Sequence, residues 1–137
     1  MNREELKQFI PHREPMLLID EASVDENGTA HGTYTVIGTE YFLQGHFPGN
    51  PIVPGVIQCE MAAQTCCVLL GEKTKGKTPV FTGIDKVKFK RQVKPGETIA
   101  FECVLTRELA PFYFAKIKGS VNGQLCVSGE FSFALIG

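Results

Sequence analysis

Residues Tyr41–Gly71 read YFLQGHFPGNPIVPGVIQCEMAAQTCCVLLG, and this stretch decides the fold. From about Gly55 to Leu70 it is apolar on nearly every side, with Gly71 as a natural stop, so it reads as one long buried helix. The preceding segment holds Gly45, Pro48, Gly49, Pro51 and Pro54, a density that no regular element tolerates. Each proline fixes its own φ, so Gly45–Pro54 is a stiff, shaped loop. In a chain that is 21% charged, Glu60 is the only Asp, Glu, Lys or Arg in the window. His46 is the only other group there that titrates near neutral pH. A carboxylate on an otherwise apolar helix is costly to desolvate, so it needs a reason.

Working outward, Asn2 with Glu5 three residues on predicts a capped short helix over Arg3–Phe9, ended by Pro11. Pro15–Glu21 (PMLLIDE) and Thr29–Ile37 read as strands. Beyond the helix the strand candidates are Val80–Ile84, Lys86–Val93, Thr98–Arg107, Phe112–Ser120 and Leu125–Leu135. Lys94-Pro-Gly-Glu97 is a turn. Val121-Asn-Gly-Gln124 is a type I′ hairpin signal. The layout is two strands, one buried helix, then an antiparallel meander. Only a curved sheet is large enough here to wrap a helix that has no wet face. The expected fold is therefore α+β, a curved antiparallel sheet around one long central helix, the hot-dog arrangement.

At 137 residues and 43% hydrophobic, residues 1–137 read as a single domain with a proper core. A net charge of -1 gives no reason to expect nucleic acid or an anionic membrane as partner. Gln58, Glu60 and Gln64 interrupt the Val56–Leu70 stretch, which is too short and too polar for a membrane span. MNREELKQF places charges where a signal peptide needs an apolar core, so a reducing, cytoplasmic setting fits. The cysteines, Cys59, Cys66, Cys67, Cys103 and Cys126, are odd in number and lack metal-ligand spacing. No metal is expected, and they read as small buried hydrophobes.

Glu60 lies about five residues into the helix, roughly 7–8 Å from its start. Gln64 is one turn further on the same face and can hold the carboxyl. Gly55 opens the helix, where the backbone N–H groups of Gly55 and Val56 are unpaired and the dipole is positive. Lacking a side chain, Gly55 lets a substrate oxygen approach, which makes this end an oxyanion site. His46 can take a proton, and burial favours the protonated Glu60 that can give one. That set suits proton abstraction next to a carbonyl with loss of a β-leaving group.

HFPGNPIVPGVIQCEMAAQ resembles the signature of the (3R)-hydroxyacyl-[acyl-carrier-protein] dehydratases of the FabZ type. IPHREPMLLID and FTGIDKVKFKRQVKPGET are similar to that family too, and the likeness covers essentially the whole chain. The resemblance implies that His46 is the base at C2 of the acyl chain and Glu60 the acid that protonates the departing 3-hydroxyl. It implies that the Gly55 N–H, with Val56 beside it, holds the thioester carbonyl. No cofactor is implied, because substrate arrives on the phosphopantetheine arm of an acyl carrier protein. The family's site lies at a homodimer interface with His and Glu from different subunits, and three dimers often form a hexamer. The isomerising FabA-type relative has Asp at the acid position, which Glu60 argues against. Cys59 stands where the family carries a larger aliphatic, and beside Glu60 it is the cysteine placed to line the site.

The acyl tail is expected along the helix past Val53, Ile57, Met61 and Phe89. Lys86, Lys88 and Lys90 alternate with Val87 and Phe89, as on a half-buried strand, and continue to Arg91 and Lys94. Such a run is either a solvated face or a docking patch for an acidic carrier protein. His12 and His31 have no partner in view and read as surface or turn residues. Phe81, Phe89, Phe112 and Phe114 read as core. The expected activity is dehydration of (3R)-3-hydroxyacyl-[acyl-carrier-protein] in fatty acid synthesis. The alternatives are a hot-dog acyl thioesterase, a bifunctional dehydratase/isomerase, and a non-catalytic acyl-thioester sensor.

Overall fold

The computed structural model describes residues 1–137. The central helix α2 spans Gly55–Leu70, as its apolar run requires, and eleven of its residues from Gln58 to Leu70 are buried. The strands are β1 (Glu21–Val24), β2 (Ala30–Thr35), β3 (Thr78–Phe89), β4 (Thr98–Leu109), β5 (Phe112–Val121) and β6 (Gln124–Ile136). They form one antiparallel sheet in the order β1-β2-β4-β5-β6-β3. The expected wrapped helix is present, but the meander is only β4–β6. The chain leaves α2, crosses to the far edge and returns as β3 against β6. β1 and β3 are the two edges.

Local chemistry explains most boundaries. A short helix α1 (Arg3–Leu6) starts on an Asn2–Glu5 capping box, with Glu5 N–H donating to Asn2 Oδ1 at 3.0 Å and Asn2 N–H to Glu5 Oε1 at 3.2 Å. It stops at Leu6 rather than Phe9, where the Gln8 and Phe9 N–H groups bond only three residues back, to the Glu5 and Leu6 carbonyls, as a turn. The Val121–Gln124 hairpin has φ of 50° at Asn122 and 79° at Gly123, the left-handed pair that a type I′ turn demands. Val80–Ile84 and Lys86–Val93 are not two strands. They are parts of one bulged strand, β3, which ends at Phe89 and whose register with β6 shifts between Asp85 and Lys88. Lys86 takes a φ of 52° in that bulge.

The segment Pro15–Ile19 does not join the sheet, contrary to the strand expected over Pro15–Glu21, of which only Glu21 lies in β1. Met16 and Leu17 N–H turn back to the Arg13 carbonyl, and side chains take other backbone groups. Leu18 N–H donates to Gln64 Oε1 at 2.8 Å, and Arg3 Nη1 donates to the Leu17 carbonyl at 3.1 Å. Leu17, Leu18 and Ile19 point inward, all nearly fully buried.

The core lies between α2 and the concave face of the sheet, where Met61, Ala62 and Cys66 meet Ile99, Phe101, Ile117 and Phe131. Burying each of the larger side chains is worth about 1.5–3 kcal/mol. All five cysteines are buried, as expected, but not all are free thiols. Cys66 and Cys103 form a disulfide between α2 and β4, with their Cα atoms 5.5 Å apart. The helix and strand approach so closely there that the two sulfurs face each other. Phe89 and Phe112 are not core, being about half exposed, because the edge strand β3 and the hairpin end of β5 carry them past the core.

Helix and sheet pack tightly at Gly32 of β2. A Cβ on Gly32 would collide with Thr65 Oγ1, and Thr65 is itself buried and bonded to the Met61 carbonyl at 3.1 Å. Gly32→Val is therefore expected to lower folding stability by about 2–3 kcal/mol through overpacking. Denaturant unfolding measures it, and an unchanged midpoint would show that α2 does not rest on β2 as described.

Candidate active site

Two cavities flank the helix, one at its start and one at its middle. The first holds about 560 Å³ and is lined by His46, Ile52, Val53, Pro54, Gly55, Val56, Gln58 and Phe89, with Lys90, Arg91 and Gln92 at its rim. Stiff local structure builds it. A 3₁₀ turn over Tyr41–Leu43 leads into the proline-rich loop, where His46 N–H donates to the Leu43 carbonyl at 3.2 Å and Asn50 N–H to the Phe47 carbonyl at 2.8 Å. Val53 N–H donates to the Val93 carbonyl at 2.8 Å and pins the loop's far end. The buried Gln58 supports it from below, donating from Nε2 to the Val53 carbonyl at 3.3 Å.

The His46 ring packs on Phe47 with centroids 4.2 Å apart. Its Nδ1 is buried without a partner, which leaves Nε2 as the nitrogen able to meet a ligand. At the helix start, Ile57 and Gln58 N–H both return to the Pro54 carbonyl. The N–H groups of Gly55 and Val56 precede the first helical bond and are free donors. Phe89 lies across Gly55 so tightly that a Cβ there would stand 2.7 Å from Phe89 Cζ. A base nitrogen, two backbone donors and an apolar wall thus share one groove. Such a set can remove a proton beside a carbonyl and hold the resulting oxyanion.

The second cavity is small, about 30 Å³, and is lined by His12, Glu60, Ala63, Gln64, Cys67, Pro79, Phe81 and Phe133. Glu60 is partly buried and anchored. Gln64 Nε2 donates to Glu60 Oε2 at 2.9 Å and to the Met16 carbonyl at 2.8 Å, while Gln64 Oε1 accepts from Leu18 N–H. His12 Nε2 lies 3.2 Å from the same Glu60 oxygen. Burial, and secondarily the Glu60 charge, pushes the Cys67 thiol up to about 12, and the same causes raise Cys59. Both thiols stay protonated near neutral pH and are poor nucleophiles, so thiol-based acyl transfer is not the chemistry of this cavity.

Within one chain His46 and Glu60 line different cavities. His46 meets Gly55, Val56, Val53 and Phe89 as the sequence suggests, and Glu60 meets Gln64. The structure corrects several other placements. Met61 is sealed in the core and Ile57 packs against it, so neither walls these cavities. Cys59 also turns to the core, and Cys67, just over two turns beyond it, lines the cavity with Glu60 instead. His31 is not partnerless, since Nε2 lies 2.8 Å from Asp25 Oδ2. His12, read as a surface residue, stands against the acid. The 48 and 46 residues between Gln64 and its backbone partners Met16 and Leu18 hid that contact from local pattern.

The basic run is not uniform. Arg91 is tied to Glu97 and Gln124, and Lys86 pairs with Glu130 at 3.4 Å. Lys88, Lys90 and Lys94 are exposed and have no carboxylate within ion-pair distance. No helix in the structure is long and apolar enough to cross a membrane.

A family model of ApeI-like dehydratases matches residues 22–130. The chain is 44% identical over 135 residues to a 3-hydroxyacyl-[acyl-carrier-protein] dehydratase FabZ of Acetivibrio thermocellus, covering 96% of this chain and 92% of the relative. It is 43% identical over 140 residues to the protein of the same name from Clostridium beijerinckii, covering 98% and 99%. Among solved structures it resembles the dehydratase heterocomplex ApeI:P of Xenorhabdus doucetiae, with a TM-score of 0.82 at 21% identity over 96% of this chain and 91% of the other. The fluoroacetyl-CoA-specific thioesterase FlK also shares the fold, with a TM-score of 0.69 at 16% identity over 85% of this chain and 90% of the other.

Proposed function

This chain belongs to the FabZ family of 3-hydroxyacyl-[acyl-carrier-protein] dehydratases, and from that premise we propose a site and a course of reaction. The enzyme dehydrates (3R)-3-hydroxyacyl-[acyl-carrier-protein] to the trans-2-enoyl product in fatty acid synthesis. His46 Nε2 takes the proton from C2, and the C2–H electron pair moves toward the thioester carbonyl. The Gly55 and Val56 N–H groups hold the oxygen that becomes negative. As C2=C3 forms, the C3–O bond breaks, and the Glu60 proton passes to the departing hydroxyl to give water. Every step uses side chains and backbone of the protein, and we propose no metal or cofactor. The observation that carries this reading is the groove in which the His46 ring shares a wall with two unpaired helix N–H donors.

The acid must then come from elsewhere, because Glu60 of the same chain opens into another cavity. We assign it to a second copy. The twelve-residue β3 is an edge strand, and the apolar side chains of Ile84 and Phe89 on it are about half exposed. Val56 beside the groove is 76% exposed. An edge of that length and polarity is a template for antiparallel pairing with a second β3. The resulting homodimer brings one copy's His46 groove to the other's Glu60, and three such dimers make a hexamer. Val53 and Phe89 start the path of the acyl tail, and Ala63, Cys67, Phe81 and Phe133 line it near the acid. Lys88 on that edge, with Lys90 and Lys94 in the segment after it, all without ion-pair partners, face the acidic carrier protein, where they act mainly on steering.

A crotonyl thioester, followed by enoyl ultraviolet absorbance beside a free-thiol assay, tests the activity. Loss of absorbance without thiol is expected, and thiol release would move the protein to the thioesterases. Glu60→Gln is expected to lower kcat by about 10²–10⁴ with the fold intact, and a near-normal rate would remove Glu60 as the acid. Charge reversal of Lys88, Lys90 and Lys94 together is expected to raise KM at least about tenfold for carrier-bound substrate while leaving a small thioester unaffected. An equal effect on both substrates would contradict carrier docking there.

A further inference from the structure

We propose that His12 is a positioning residue for Glu60, an inference that rests on Glu60 being the acid. The contact is direct, with His12 Nε2 3.2 Å from Glu60 Oε2. Gln64 Nε2 donates to that same oxygen at 2.9 Å. Glu60 Oε1, in contrast, has no protein partner and is not sealed from solvent. Two nitrogens on one oxygen decide where the acidic proton sits. Gln64 occupies one side of Oε2 with a hydrogen bond and His12 Nε2 stands at ion-pair distance on the same oxygen, so a proton there is disfavoured. The proton is left on Oε1, the oxygen free to meet a leaving hydroxyl. When that proton departs, the negative charge is shared with an oxygen that Gln64 already holds and His12 faces, which favours the transfer.

The ring is set up for this task. Nε2 is the His12 nitrogen that faces Glu60, so it donates to the carboxyl when it carries the ring proton. The backbone that carries the ring is clamped from both sides. Arg13 Nη1 donates to the Ile10 carbonyl at 3.1 Å and the His12 carbonyl at 2.8 Å, and Nη2 donates to the Lys7 carbonyl at 3.3 Å. Further along, Gln64 ties Met16 and Leu18 to the helix. His12 therefore reaches the acid from a fixed frame and touches no atom of the groove that holds His46. Its role lies in the orientation of Glu60.

The test uses the intact enzyme and separates turnover from binding. His12→Phe keeps a ring and loses the donor, and kcat is expected to fall about 10- to 100-fold while KM stays within about threefold. His12→Gln, whose Nε2 can replace the imidazole nitrogen, is expected to recover most of that loss. In a Glu60→Gln background His12→Phe should cost nothing more, because His12 acts through Glu60. His12→Ala provides the same reading if the phenylalanine variant does not fold. Near-wild-type kcat in the donor-free variant would overturn the proposal, as would equal loss in His12→Phe and His12→Gln, or a further loss in the double variant. These outcomes are distinct from failure of the acid assignment, in which Glu60→Gln itself keeps its rate.

Discussion

The structure depends on a helix that has no wet side yet carries one carboxyl group. Everything apolar on α2 demands cover, and the curved sheet supplies it on β2, β4, β5 and β6. Glu60 demands a polar partner in the same place, and Gln64 provides one from the next turn. The remaining polar atoms of Gln64 must then be satisfied too, and they capture the backbone of Met16 and Leu18. A single acid on the helix thus fixes the path of the segment before β1, keeps it out of the sheet, and brings His12 to the carboxyl. Removing Gln64 would leave several buried groups unpaired at once, each at about 1–3 kcal/mol.

The second organising constraint is the proline-rich loop. It sets His46 rigidly beside the start of α2 at no cost in regular hydrogen bonding, because helix N-terminal N–H groups are unpaired in any case. The loop and the helix middle nonetheless open into different cavities. Under the proposed reading the chain by itself holds two halves of two sites. The exposed β3 edge, with Phe89 over Gly55, is where the halves would join. The bulge at Lys86 shifts the register of that edge against β6.

Much of this was legible in the residues. The boundaries Gly55–Leu70, the Asn-Gly hairpin, the capping box and the pairing of Glu60 with Gln64 all follow from local rules, because they involve residues at most four apart. What failed was non-local. Pro15–Glu21 has a strand's composition, yet Met16 and Leu17 N–H turn back to Arg13, and distant Arg3 and Gln64 side chains claim the Leu17 and Met16 carbonyls and the Leu18 N–H. The crossing of β3 to the far edge is a topological choice that strand propensity does not encode. The acyl tail is expected past Met61, but a helix buried all round gives no phase by which to choose a face, and Met61 lies in the core while Cys67 lines the cavity with Glu60. The Cys66–Cys103 bond depended on the distance between α2 and β4, which spacing along the chain does not reveal.

The central claim is that His46 of one copy works with Glu60 of another. Mixing the inactive variants His46→Ala and Glu60→Gln, refolded or expressed together, tests it most directly. Mixed dimers would contain one site with both residues intact, so activity should return to about a quarter of the wild-type rate in a random mixture. If the mixture stays as inactive as its parents while mixed dimers are demonstrably present, the two residues do not meet across chains, and the shared-site account is wrong.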